Sequence, residues 1–140
     1  MSRFQNWPSR MDDFLRAHAV TEFAWGVWDC ALMAAAHIDN ITGSEFYTDH
    51  AGKYHDADSA APYLASLGVD GLDGLATQIL GEPLANKKTA QRGDVVTFDT
   101  DLGPALGIVD LSGTRIIGLD PSEAGFIRIP LALSTAAWRV

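Results

Sequence analysis

A change of hydrophobic rhythm near residue 92 constrains this chain most. Before it, apolar residues recur at helical spacing or are small and alanine-rich. After it come short β-branched and aromatic runs separated by Gly and Pro. Upstream, Met11, Phe14, Leu15 and His18 share one helical face, while Asp12, Asp13 and Arg16 face away. Trp7-Pro8 suits the first turn of that helix, where proline's missing N–H has no partner to lose. Ala31, Ala34, Ala35 and Ala36 predict a second helix from Cys30 to about Thr42, closed by Gly43. Its small side chains let it approach a sheet or another helix closely, so it is expected to be the central helix. Residues 47–55 are polar without a period and read as loop. Residues 60–67 and the turn marked by Leu72, Leu75 and Ile79 read as short helices ended by Gly68 and Gly81, and residues 82–91 cross the surface.

Downstream, strands are expected at residues 94–98, 105–110, 114–119, 126–129 and 137–140, with turns at Leu102-Gly103-Pro104, Ser112-Gly113 and Glu123-Ala124-Gly125. Helices followed by a strand meander give the α+β class. The expected architecture is N-terminal helices packed on a C-terminal antiparallel sheet or half-barrel of about five strands. With 140 residues and no repeat or linker, the chain reads as one domain over residues 1–140.

Charge narrows the function classes. The formal net charge is −8, which argues against a nucleic-acid partner and against an anionic membrane surface. The longest apolar runs fall short of the ~20 residues that span a bilayer. Arg3, Arg10, Asp12, Asp13 and Arg16 break up the start and no apolar region follows, so no signal peptide is expected. The chain is expected to be made in the cytoplasm and to reach any extracellular site by another route. Cys30 is the only cysteine, which excludes an intramolecular disulfide and a Cys-rich zinc site. Asp49, His50, His55, Asp56 and Asp58 form a His/Asp-rich stretch, but their spacing fits no familiar ligand pattern and reads as solvated loop. Gly68-x-x-Gly71-x-x-Gly74 lacks the Lys-Ser/Thr ending of a phosphate loop. No metal or cofactor is implied.

The segment with chemical potential is Phe23-x-Trp25-Gly26-x-x-Asp29-Cys30. Asp29 suits a helix N-cap, which places Cys30 in the first turn. There the free N–H groups and the helix dipole favour a thiolate. Gly26 permits a sharp turn that would leave room for a substrate backbone. Trp25 and Trp28 are expected to staple the helix to the core, and Trp138 to seal the sheet. His37 lies seven residues beyond Cys30 on the same helix, a climb of ~10 Å that is too long for a direct hydrogen bond. His18 is expected to be a packing histidine.

A second set of residues follows on consecutive expected strands: Gly93-Asp94-Val95-Val96-Thr97-Phe98, then Ala105-Leu106-Gly107-Ile108. With Trp25-Gly26 and Asp29-Cys30, from about residue 23 to the C-terminus, the chain resembles the NlpC-like branch of the papain-like cysteine peptidases. In that family a Gly-x-x-Asp-Cys turn opens the nucleophile helix. A Gly-Asp-hydrophobic-hydrophobic-x-Phe strand follows, and a His-x-Gly-Ile strand carries the base. With the Ala137-Trp138-Arg139 ending, the pattern is similar to a variant encoded near phage tail genes. The resemblance implies a papain-like fold with Cys30 at the nucleophile position.

The chain departs from that pattern where the base belongs. The position is Ala105, and alanine can neither take the thiol proton nor protonate a leaving amine. The strand expected to hold the orienting residue offers Arg115, Ile116, Ile117 and Gly118, none of them suited. His50 or His55, in the loop after the nucleophile helix, is the only replacement within the chain; a neighbouring chain is the other source. Two readings follow from the resemblance. One is a degenerate peptidase fold acting structurally in a phage tail tip or related particle, with other tail proteins as partners and the virion as its location. The other is an active peptidase or amidase cutting peptidoglycan stem peptides with Cys30.

Overall fold

The computed structural model describes all residues from Met1 to Val140. Five helices come first: α1 (Trp7–Ala17), α2 (Cys30–Thr42), α3 (Phe46–His50), α4 (Ala57–Ser66) and α5 (Gly71–Leu80). A 3-10 turn, Lys87–Thr89, leads to the strands β1 (Val95–Thr100), β2 (Gly103–Val109), β3 (Arg115–Gly118), β4 (Ile127–Pro130) and β5 (Ser134–Trp138). The sheet is antiparallel throughout in the order β4-β3-β2-β1-β5. The class is therefore α+β, with N-terminal helices and a five-stranded antiparallel sheet. No helix is long and apolar enough to cross a membrane.

The sheet is buried on both faces. Because side chains alternate along a strand, Val95, Leu106 and Ile108 face the helices and join Met33, Ala34, Ile38 and Ile41 of α2 in the main core. Val96, Phe98, Ala105, Val109, Ile116 and Ala137 form a second cluster. Pairing of Phe98 with Ala105 and of Val96 with Gly107 puts these positions on one face, which Leu84, Ala90 and Leu131 cover. Helix α2 is central, as its alanines imply: Leu32, Met33, Ala34, Ala35, His37, Ile38 and Ile41 are all buried.

Three elements differ from the sequence reading. Residues 47–55 are not all loop, because α3 occupies Phe46–His50. Its first N–H groups are capped from another helix: the Asp39 carboxylate accepts from Phe46 (2.9 Å) and Tyr47 (2.8 Å). Helix α4 starts three residues earlier than expected, where Asp56 and Ser59 form a reciprocal capping box. The last strand is Ser134–Trp138: it starts three residues before the expected 137 and ends at Trp138, where Arg139 and Val140 turn to the Asp94 carboxylate.

Candidate functional site around Cys30

The turn before α2 is built from local bonds. Ala24 and Trp28 form an isolated antiparallel bridge. Gly26 sits at its apex with φ +77°, a backbone conformation that favours glycine. The Asp29 side chain then accepts from the Leu32 N–H (3.0 Å) as N-cap and from the Gly26 N–H (3.0 Å). Trp28 is buried and stacks on His18 with ring centroids 4.1 Å apart, pinning the turn to the end of α1. Trp25 meets Phe23 edge to face at 5.1 Å.

Cys30 is the first residue of α2, where the sequence places it. Its sulfur lies at the edge of β2. Val109 N–H bonds to the Asp94 carbonyl just before β1, so alternate residues such as Leu106 point their N–H groups the other way. Strand β3 pairs only with Ile108 and Val109. The Leu106 N–H, beyond the end of β3, lies near the Cys30 sulfur, as do the N–H groups of Ala31 and Cys30 itself, and all three favour the thiolate. Cys30 also packs against the cluster that contains Ala105. The helix start thus meets the strand of Ala105. The Ala105 side chain nevertheless belongs to the sheet face opposite Leu106.

Two expectations about this turn are corrected. The residue surface of Cys30 is only partly covered, yet burial pushes the thiol up to about 11. The N–H groups oppose that shift and the neighbouring Asp29 charge adds to it, so burial outweighs the helix terminus and the group is a thiol at neutral pH. Gly26 does not leave room for a substrate backbone either. A Cβ there would fall 1.9 Å from the carbonyl oxygen of Tyr54, so the chain's own residues 52–55 fill that space.

Tyr54 is the site residue that sequence reasoning missed. Its hydroxyl donates to Asp29 at 2.6 Å, the third bond to that buried carboxylate. Burial first, and then the Asp29 charge, hold the phenol protonated. No local signal marks Tyr54, since its partner lies 25 residues earlier.

The histidines lie elsewhere. The His50 Nδ1 bonds the Tyr63 hydroxyl at 2.6 Å. His55 is exposed beside Asp56, 3.5 Å away. His18 shares a hydrogen bond with Thr21. His37 is fully buried, with Nε2 2.9 Å from the Gly93 carbonyl and Nδ1 without a partner. None of these contacts is to Cys30. No group of three or more His, Cys, Asp and Glu side chains is placed to hold a metal ion.

The other shared motif pieces have packing roles. The Phe98 ring lies over two glycines: a Cβ on Gly107 would meet it at 3.0 Å and one on Gly118 at 2.8 Å. Asp94, fully buried, pairs with Arg3 (2.7 Å) and Arg139 (2.9 Å) and accepts from the Gln91 and Val140 N–H groups. Arg3 also donates to the Val140 carbonyl. Asp94 thereby binds the N-terminal segment, the end of β5 and the start of β1 together.

Residues 2–140 match a family described as a domain of unknown function, DUF6950. The chain belongs to that family. The DUF6950 match spans helices and sheet alike, from the Arg3 arm to the Arg139 clamp. No curated protein matches the chain.

Proposed function

We propose that this DUF6950 chain is a non-catalytic domain on a papain-like, NlpC-like frame, acting as a structural part of a phage tail tip or related particle. The observation that carries the non-catalytic half is the setting of Cys30: a thiol pushed up to about 11 by burial, with no histidine bonded to it. Amide cleavage needs a base for the thiol proton and an acid for the departing amine, assistance typically worth about 10²–10⁴-fold. Ala105 provides neither. The order of Trp25-Gly26, Asp29-Cys30, Gly93-Asp94, Ala105-Leu106-Gly107-Ile108 and Ala137-Trp138-Arg139 supports the papain-like frame, and the phage association rests on the same resemblance. Its partners would then be other tail proteins and its location the virion.

One observation favours the second reading, a cysteine peptidase acting on peptidoglycan stem peptides. The N–H groups of Cys30, Ala31 and Leu106 near the sulfur pull its pKa downward, the kind of donor set that favours a thiolate nucleophile. A neighbouring chain would then have to supply the base.

Incubation of the purified protein with peptidoglycan and synthetic stem peptides, read by mass spectrometry, tests the choice. The expected result is no released fragment, with Cys30→Ala indistinguishable from the parent. Release that stops in Cys30→Ala overturns the non-catalytic reading. Absence of the chain from purified particles of its phage overturns the virion assignment.

A further inference from the structure

We propose that the Asp70-Gly71 peptide bond is a modification site, where the folded chain rearranges spontaneously to isoaspartate while an identical tripeptide beside it is protected. The chain carries Asp-Gly-Leu twice in succession, at residues 70–72 and 73–75. For aspartate, a following glycine is the neighbour most open to this chemistry, because it has no side chain to shield its own nitrogen. In the reaction the Gly71 nitrogen attacks the Asp70 side-chain carboxyl carbon. The nitrogen's proton and the carboxyl hydroxyl leave as water, which closes a succinimide ring. A second water reopens the ring, and attack at the main-chain carbonyl leaves the chain running through the former side chain. The product has the same atoms as the parent, with one extra methylene in the main chain where it enters α5.

The fold separates the two copies. Asp70 and Gly71 are both exposed. The Asp70 carboxylate makes no bond to the start of α5. Gly71 is the first residue of that helix, so its N–H has no intrahelical acceptor, and no loop carbonyl accepts it. Gly71 has φ +69°, and nothing lies within 4 Å of where a Cβ would stand, which leaves open space beside the attacking nitrogen. Ring closure requires Asp70, which rests at ψ 92°, to turn its side chain toward that nitrogen. The main-chain bond opposing this rotation is long, from the Gly74 N–H to the Asp70 carbonyl at 3.3 Å. At the second copy the attacking group would be that same Gly74 N–H, already bonded within the helix. It is also crowded, since a Cβ on Gly74 would meet Val69 at 3.1 Å. Asp73 lies inside α5, whose Leu75 and Ala76 are buried, so its ring closes only if the first turn unwinds.

The test is storage of the purified, folded protein at neutral pH and body temperature, with peptide mapping at intervals. Isoaspartyl peptides elute apart from their aspartyl parents at equal mass, and electron-transfer fragmentation locates the altered residue. Residue 70 should convert at least about five-fold faster than residue 73, the factor set by the net worth of the one hydrogen bond that the second site must break. In guanidinium chloride the two should convert at similar rates, because the tripeptides are the same. Asp70→Glu keeps the charge but needs a larger ring, and should abolish conversion at residue 70 while leaving the slow rate at residue 73 unchanged. The Asp70 side chain is exposed and unbonded, so folding of that variant is not at risk. Equal rates at the two sites in the folded chain overturn the proposal, as does faster conversion at residue 73. So does the absence of conversion at residue 70 in the folded chain, whatever the unfolded chain shows.

Discussion

His37 shows how a single side chain sets a pH limit on this fold. It is fully buried on α2, its Nε2 holds the Gly93 carbonyl, and its Nδ1 faces no partner. Burial pulls its pKa down to about 4, with the Arg3 charge in the same direction, against the Gly93 carbonyl and Asp94. The folded-state value lies below the ordinary 6.5, so the unfolded chain binds the proton more readily. The resulting stability is fully present above pH 6.5 and is lost as pH falls toward 4, at about 1.4 kcal/mol for each unit of separation. Urea melts from pH 7 to pH 4.5 should show this decline, and His37→Gln should flatten it while lowering stability at pH 7. An equally steep decline in the variant would assign the pH dependence to the carboxylates instead. The seven-residue spacing from Cys30 correctly removes His37 as a base, but nothing local reveals its bond to Gly93, 56 residues away.

At the scale of elements, α2 depends on small side chains where it meets α5 and the sheet. Ala31, Ala34 and Ala35 line an apolar cavity of about 20 Å³ with Leu75, Ala76 and Leu106. That volume is close to one methylene group, far less than a leucine side chain adds. Ala34→Leu should therefore cost about 1–3 kcal/mol through overpacking, measured as a lower urea midpoint with an unchanged slope. A midpoint equal to the parent's would show that α5 moves aside freely. The alanine run makes this close approach legible in the sequence. The partner α5 is legible as a short helix, from Leu72, Leu75 and Ile79, but not as the surface that meets those alanines. Helix α3 is the opposite case. Its cap comes from Asp39 on α2, so a polar stretch without periodicity becomes helical through a contact made only on folding.

For the molecule as a whole, Asp94 is the junction between the ends of the chain. It holds Arg3, Arg139 and the Val140 N–H, while Arg3 reaches the Val140 carbonyl across 137 residues. Removing one member of a buried ion pair typically costs about 3–5 kcal/mol, and the half-exposed Arg139 puts the expected loss near the low end. Asp94→Asn should accordingly lower the unfolding free energy by about 3 kcal/mol. It should also expose residues 1–5 and 139–140 to exopeptidases, read by mass spectrometry. Parent-like stability together with protected ends would show that the clamp is dispensable.

The sequence by itself determined the α+β order, the start of α2 at Cys30 and the Asp29 cap. Each of these is read from residues a few positions apart, through periodicity, capping and residue identity. Tertiary structure alone decided the state of the site. Whether Cys30 is thiolate or thiol depends on how far burial outweighs the helix N–H groups, and that burial comes from strands more than 60 residues downstream. Whether Gly26 opens onto solvent or onto Tyr54 depends on where residues 52–55 settle, a choice fixed by the Tyr54–Asp29 bond and made only when the helices pack.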